Sequence, residues 1–456
     1  MLNSEQLSKM TAEEKRLLAK KLLQKKNSNS ALNTNSVAHA SALKEKPIAE
    51  EYYHFELDPE FKKLQEHAKI MQDIGVTNPY FNCREGLSNN TLLIEGKEYI
   101  NYSGYNYLGL SGHPEINQAA KAAIDTYGTS ASASRIVSGE FTLHRELEAE
   151  ITKVCGTENC VVTVSGYGTN VSTIGHLMGP KDLILHDSLI HNSIMSGCLL
   201  SGARRVPFPH NDWKALDRLL NENRHRHEKT LIIIEGVYSM DGDIPDLPAV
   251  IEIKKRHKAF LMVDEAHSAG VLGETGRGLA EYFDIAPSEV DIWMGTLSKA
   301  LASCGGYIAG SEALIQNLKY NAPGGILYSV GISPANTAAA LAALKLMQKE
   351  PERVKQLHDR SNFFLQEAKK RGLNTGPSAN SPVIPVILGN SIECLKLGDQ
   401  LFAQGINVQA ILYPAVPEEE SRLRFFITAL HTEEQMRYTL DAVSNTLKSI
   451  RQQNAA

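Results

Sequence analysis

Seven short apolar runs recur through the middle of the chain, at residues 160–164, 183–186, 204–208, 231–235, 260–264, 291–296 and 307–309. Each has strand length, and most are separated by helical or turn-rich stretches, the pattern of βαβ units and a mainly parallel sheet. Continuous runs such as Leu231-Ile232-Ile233-Ile234 suit strands covered on both faces. After Pro334 an Ala/Leu-rich stretch predicts a long helix over residues 335–349. It leads into a smaller α+β tail with strands expected at 383–388, 406–409 and 423–428. No internal repeat is evident.

The start of the chain follows a different pattern. Thr11-Ala12-Glu13-Glu14 has capping-box form, and Leu17, Leu18, Leu22 and Leu23 alternate with Lys15, Arg16, Lys20, Lys21, Lys25 and Lys26. That predicts one amphipathic helix with a basic face, followed by a flexible linker rich in Asn, Ser and Ala. The helix reads either as a solvated terminus or as a docking element for another protein. The expected organisation is residues 1–48 as basic helix and linker, 49–105 as an N-terminal segment, 106–334 as a large domain and 335–456 as a small C-terminal α/β domain.

Composition narrows the class. The chain has 456 residues, 42% of them hydrophobic and 22% charged, which suits a globular protein with a large interior. A net charge of −5 provides no global field for nucleic acid or an anionic membrane surface. No run approaches the ~18 apolar residues of a membrane span, and no apolar signal core opens the chain. The six cysteines are scattered and no Cys/His cluster has zinc spacing, so no metal site is expected. Reduced thiols in a cytoplasm are the better reading.

Reactive residues fall where ligands gather in open α/β sheets, beyond the carboxyl ends of strands. The 260–264 run ends in Asp264 and continues Glu265-Ala266-His267. The 291–296 run ends in Thr296 and continues Leu297-Ser298-Lys299. A lysine in such a place is most often a solvated surface charge. An acid at a strand end, a threonine three residues before the lysine and a glycine-containing turn together are what pyridoxal 5′-phosphate (PLP) requires. Asp264 would pair with the pyridinium nitrogen, and Gly166 and Tyr167 amides at a helix start would hold the phosphate, helped by Thr296 and Ser239. Lys299 would carry the cofactor and move protons at the substrate α-carbon. His191 would stack on the ring or be merely structural. His267 would contact the ring hydroxyl or cap the following helix.

These motifs in series resemble the α-oxoamine synthase family. The strings are Tyr105-Asn106-Tyr107-Leu108-Gly109-Leu110-Ser111, Ser134-Arg135-Ile136-Val137-Ser138-Gly139 with His144, Glu235-Gly236-Val237-Tyr238-Ser239-Met240-Asp241-Gly242-Asp243, Asp264-Glu265-Ala266-His267, and Gly295-Thr296-Leu297-Ser298-Lys299-Ala300. The resemblance runs from about residue 52 to the end. It implies a fold-type-I PLP-dependent transferase, with a mostly parallel seven-stranded sheet in the PLP-binding domain and a small C-terminal domain. It further implies Lys299 as Schiff-base lysine, His191 as stacking histidine, Arg424 as the grip on the substrate carboxylate, and Asn106 near the substrate side chain. A homodimer is implied as well, with Ser329 as the hydroxyl sent to the other subunit's phosphate.

Three features depart from the compact members. Leu412 stands where the biotin branch has arginine, Tyr413-Pro414 looks more like the ligase and aminolevulinate branches, and the phosphate-contact stretch Leu327-Tyr328-Ser329-Val330-Gly331 offers only Ser329. The N-terminal extension resembles versions found beside polyketide and non-ribosomal peptide assembly lines. The implied reaction is decarboxylative condensation of glycine, alanine or serine with an acyl thioester, on coenzyme A or a carrier protein that residues 1–26 could dock. The alternatives are a PLP aminotransferase or lyase on the same scaffold, or a non-catalytic scaffold for a carrier protein.

Overall fold

The computed structural model describes residues 47–455; the expected basic helix and nearly all of the linker lie outside them. The chain divides into two units, one up to Ile74 and one from Gly75. In the first, the helix Pro59–Asp73 starts at Asp58, whose carboxylate accepts from the amides of Glu60 and Phe61 at 2.8 and 3.3 Å.

The second unit contains three sheets. The first joins β1 (Arg84–Glu85), β2 (Thr91–Ile94) and β3 (Lys97–Asn101), with a later short strand alongside. The central sheet is built from β4 (Asn159–Thr163), β5 (Leu183–Asp187), β6 (Arg204–Phe208), β7 (Thr230–Glu235), β8 (Phe260–Asp264), β9 (Ile292–Thr296) and β10 (Gly306–Gly310). Its order is β4-β10-β9-β8-β7-β5-β6, and β10 alone runs antiparallel to both its neighbours. The seven runs read from the sequence are these seven strands.

Alternation along β7 shows why such a strand reads as continuously apolar. Leu231 and Ile233 join one buried cluster, while Ile232 and Ile234 join another. Each fully buried aliphatic side chain contributes about 1.5–3 kcal/mol, so both faces favour the fold. The register then sets Glu235 beside Asp264 at the shared carboxyl edge.

The tail departs from expectation at one point. The run at 406–409 is two strands: β12 (Ile406–Asn407) lies parallel to β3, and β13 (Gln409–Ile411) pairs with β14 (Arg422–Phe426). With β11 (Val383–Ile387), β14 and β13 form a small antiparallel sheet in the order β11-β14-β13. Val408 separates the two pairings, so one apolar run serves two sheets. Among the described residues, no helix is long and apolar enough to cross a membrane.

Candidate active site

Strands β5, β7, β8 and β9 end in Asp187, Glu235, Asp264 and Thr296. A cavity of about 380 Å³ opens beyond this edge. Its walls bring together Gly166, Tyr167, His191, Ser239, Asp264, His267, Thr296, Lys299 and Arg424. Asn106 and Ser329 are not in its walls. Asn106 is spent tying its loop to the Ser88–Asn89 segment: its side-chain oxygen accepts from the Ser111 amide at 3.1 Å and its Nδ2 donates to the Ser88 carbonyl at 3.5 Å, and it is the neighbouring Tyr105 that lines the cavity. Ser329 is half-buried in a segment bridged to Ser134 through Val330.

Lys299 lies in the turn that follows β9. Thr296 Oγ1 shapes this turn by donating to the Gly305 carbonyl at 3.0 Å and meeting Ser298 Oγ at 2.8 Å. The Lys299 ammonium sits 5.5 Å from the centre of the Tyr105 ring. Burial lowers its pKa to about 8, against the opposing pull of the Asp264 and Glu235 carboxyls. A lysine so placed holds a far larger fraction of neutral amine near physiological pH than an ordinary lysine, and the neutral form is the one that bonds to an aldehyde carbon.

Asp264 is buried and held from two sides. Its Oδ1 accepts from the Ala266 amide at 2.9 Å, and its Oδ2 from Asn170 Nδ2 at 2.7 Å. The same Asn170 nitrogen reaches Ser193 Oγ at 2.9 Å, and Ser193 Oγ meets His191 Nδ1 at 2.7 Å. His191 Nδ1 also accepts from the Ser193 amide, so it carries no proton and the ring is the neutral Nε2–H tautomer. Burial lowers its pKa; the Lys299 and Arg424 cations push the same way, opposed by Asp264. Glu235 accepts from the His191 amide. Burial first, then the charge of Asp264, raises the Glu235 pKa well above the carboxylic range. His267, its Nδ1 2.7 Å from the Tyr107 hydroxyl, is likewise kept neutral, by burial and by the nearby cations.

Arg424 on β14 donates to the Ser239 carbonyl at 2.9 Å and lies over the Phe426 ring, while its buried Nε has no hydrogen-bond partner among the described residues. Opposite, the helix Gly166–Leu177 begins at Ser165, whose hydroxyl accepts from the Gly168 amide. A Cβ on Gly166 would come within 2.9 Å of Thr296 Oγ1, so only glycine lets this helix start sit against the end of β9.

The donor set fits PLP. A helix N-terminus with a glycine cradle suits a phosphate, a buried carboxylate suits a pyridinium nitrogen, a neutral imidazole offers a stacking face, and a lysine amine could supply the anchor. Glu235, Asn170 and Tyr105 are additions that sequence reasoning did not single out. The strand-end rule that finds Asp264 also finds Glu235, and Asn170 stands one helical turn beyond Gly166. Replacing Asn170 by alanine is expected to weaken PLP binding roughly tenfold or more, because it removes a bond to a buried charge. Titrating cofactor absorbance measures this, and unchanged affinity would detach Asn170 from the site.

Comparison with known proteins agrees with this geometry. The model of the family "Aminotransferase class I and II" matches residues 97–443. An 8-amino-7-oxononanoate synthase of Thermosipho melanesiensis is 40% identical over 371 residues, 81% of this chain and 94% of the relative. A solved serine palmitoyltransferase holding PLP superposes with a TM-score of 0.81 at 28% identity, covering 86% of this chain and 98% of that one. The 8-amino-7-oxononanoate synthase of Francisella tularensis superposes with a TM-score of 0.66 at 27% identity, covering 77% and 99%. The chain belongs to the aminotransferase class I and II family, with the fold of a type-I PLP transferase. Within that family it stands among the α-oxoamine synthases, a branch of PLP-dependent C-acyltransferases.

Proposed function

We propose that this chain condenses a small amino acid, glycine, alanine or serine, with an acyl thioester, releasing CO2 and free thiol and yielding an α-aminoketone. The observation that carries the reading is the meeting of Lys299, Asp264, His191 and Arg424 in one cavity at the carboxyl edge of the sheet. PLP bound there supplies an electron sink for the carbanion formed at the substrate α-carbon. Lys299 would hold the cofactor through its amine and would move the proton at the substrate α-carbon. Asp264 would keep a proton on the ring nitrogen of bound PLP, and the flat neutral face of His191 would take the ring. Arg424 takes the substrate carboxylate with its unspent donors, fixing the bond to be broken.

A second copy of the chain completes the site in this reading, by way of Ser329. Supporting it, Val137 and Tyr328, flanking the Ser134–Val330 bridge, are 79% and 74% exposed. The decisive assay panels amino acids for a change in cofactor absorbance, then offers acyl-CoA against acyl-carrier protein while free thiol is measured. Thiol release that needs both amino acid and thioester supports the synthase. Conversion of the cofactor to its amine form by amino acid alone identifies an aminotransferase instead. Removing residues 1–26 in the carrier-protein assay tests docking; an unchanged rate dismisses it.

A further inference from the structure

His210, which follows β6 and is not part of the cavity wall, lies between two buried aspartates. Its Nδ1 is 2.9 Å from Asp187 Oδ1 and its Nε2 is 2.8 Å from Asp243 Oδ2. A ring bonded from each nitrogen to a carboxylate carries both protons and is an imidazolium. Burial alone would lower the His210 pKa, but the bonds to Asp187 and Asp243 outweigh it and carry it up to about 10. Asn211 completes the cluster: its amide donates to Asp187 Oδ2 at 2.9 Å, and its Nδ2 to Asp243 Oδ2 at 2.6 Å. The Tyr238 ring covers His210 edge-on, with centroids 4.5 Å apart.

The two aspartates anchor two different loops of the site. Asp187 ends β5, and its Oδ1 also accepts from the Leu189 amide at 2.8 Å, shaping the turn into His191. Asp243 closes the loop after β7: the Tyr238 amide donates to the Asp243 carbonyl at 3.1 Å, and the Gly242 amide to the Tyr238 carbonyl at 2.8 Å. From that loop the Ser239 carbonyl receives Arg424. One cation therefore joins the turn that presents His191 to the loop that holds Arg424.

We propose that His210 is a positioning residue: clamped between Asp187 and Asp243, it fixes the Ser239–Asp243 loop where Arg424 meets the amino-acid carboxylate and keeps the His191 turn in register with it. The inference rests on the role assigned to Arg424 above. Removing one partner of a buried ion pair leaves the other charge uncompensated, so the loops must shift to solvate it.

The test uses full-length PLP-loaded enzyme with His210→Gln and, should that variant fold poorly, the nearly isosteric Asp243→Asn. The amino-acid dissociation constant, read from cofactor absorbance, is expected to rise roughly tenfold while kcat at saturating amino acid changes by less than about threefold. In an Arg424→Gln background Asp243→Asn should add almost nothing, because the two act on one contact. A purely structural role would lower the melting temperature and leave the dissociation constant within about twofold. That outcome, or full additivity with Arg424→Gln, overturns the proposal. A wild-type enzyme whose cofactor absorbance ignores every amino acid would instead sink the reading of the cavity, and this inference with it.

Discussion

Lys299→Ala is expected to lower turnover roughly 10³-fold or more, since one side chain supplies both the covalent anchor and the α-carbon base. The variant should still bind PLP through Asp264, His191 and the Gly166 helix start, but reversibly and without the absorbance of a lysine-bound cofactor. Retention of that absorbance would move the anchor elsewhere. The depressed pKa adds a pH signature. In cofactor-free enzyme the rate of PLP attachment should climb with pH through a half-point near 8, where half of the amine is neutral, and level off above it.

The same shift predicts a stability effect of opposite sense. The unfolded chain holds its lysine proton up to about 10.5 and the folded chain only to about 8, so charged Lys299 opposes folding below about 8. That penalty fades between the two values as the unfolded chain also loses its proton. Cofactor-free Lys299→Met should therefore melt above wild type at neutral pH, with the difference shrinking as pH rises through that window. A variant less stable than wild type at pH 7 would contradict this.

The central sheet was readable because parallel strands covered on both faces leave uninterrupted apolar runs, and reactive residues cluster where those runs stop. The β2–β3 hairpin was not. Its turn places Glu95 and Gly96 at φ of 50° and 71°, and Glu-Gly is a weaker signal for such a turn than Asn-Gly or Asp-Gly. Periodicity also cannot say which of two neighbours in an irregular loop faces a cavity. Tyr105 lines this one while Asn106 ties its loop to the Ser88 carbonyl, a choice made by local backbone geometry rather than residue type. The Asp187–His210–Asp243 bridge was invisible for a related reason: its members come from one strand end and two loops, and no spacing rule links them.

Replacing Arg424 by glutamine is expected to raise the amino-acid KM about 100-fold, with PLP affinity nearly unchanged, because two charge-assisted bonds to the substrate carboxylate disappear. The structure distinguishes this arginine from its neighbour. Arg422 and Arg424 point to the same face of β14, since side chains alternate along a strand. Yet Arg422 is saturated by Asp241 and by the Glu420 carboxylate at 2.8 Å, whereas Arg424 meets a carbonyl, a thioether and the Tyr105 hydroxyl but, among the described residues, no carboxylate. Burial lowers the Arg424 pKa without a carboxylate to offset it, a state that a substrate carboxylate entering the cavity would relieve. Arg424→Lys should recover little, because a point charge cannot reproduce a planar two-pronged contact. Arg422→Gln, by contrast, strands Asp241 and should reduce thermal stability first. If Arg422→Gln raised KM as much as Arg424→Gln at equal PLP occupancy, the carboxylate would be gripped by the pair, and the division of labour drawn here would be wrong.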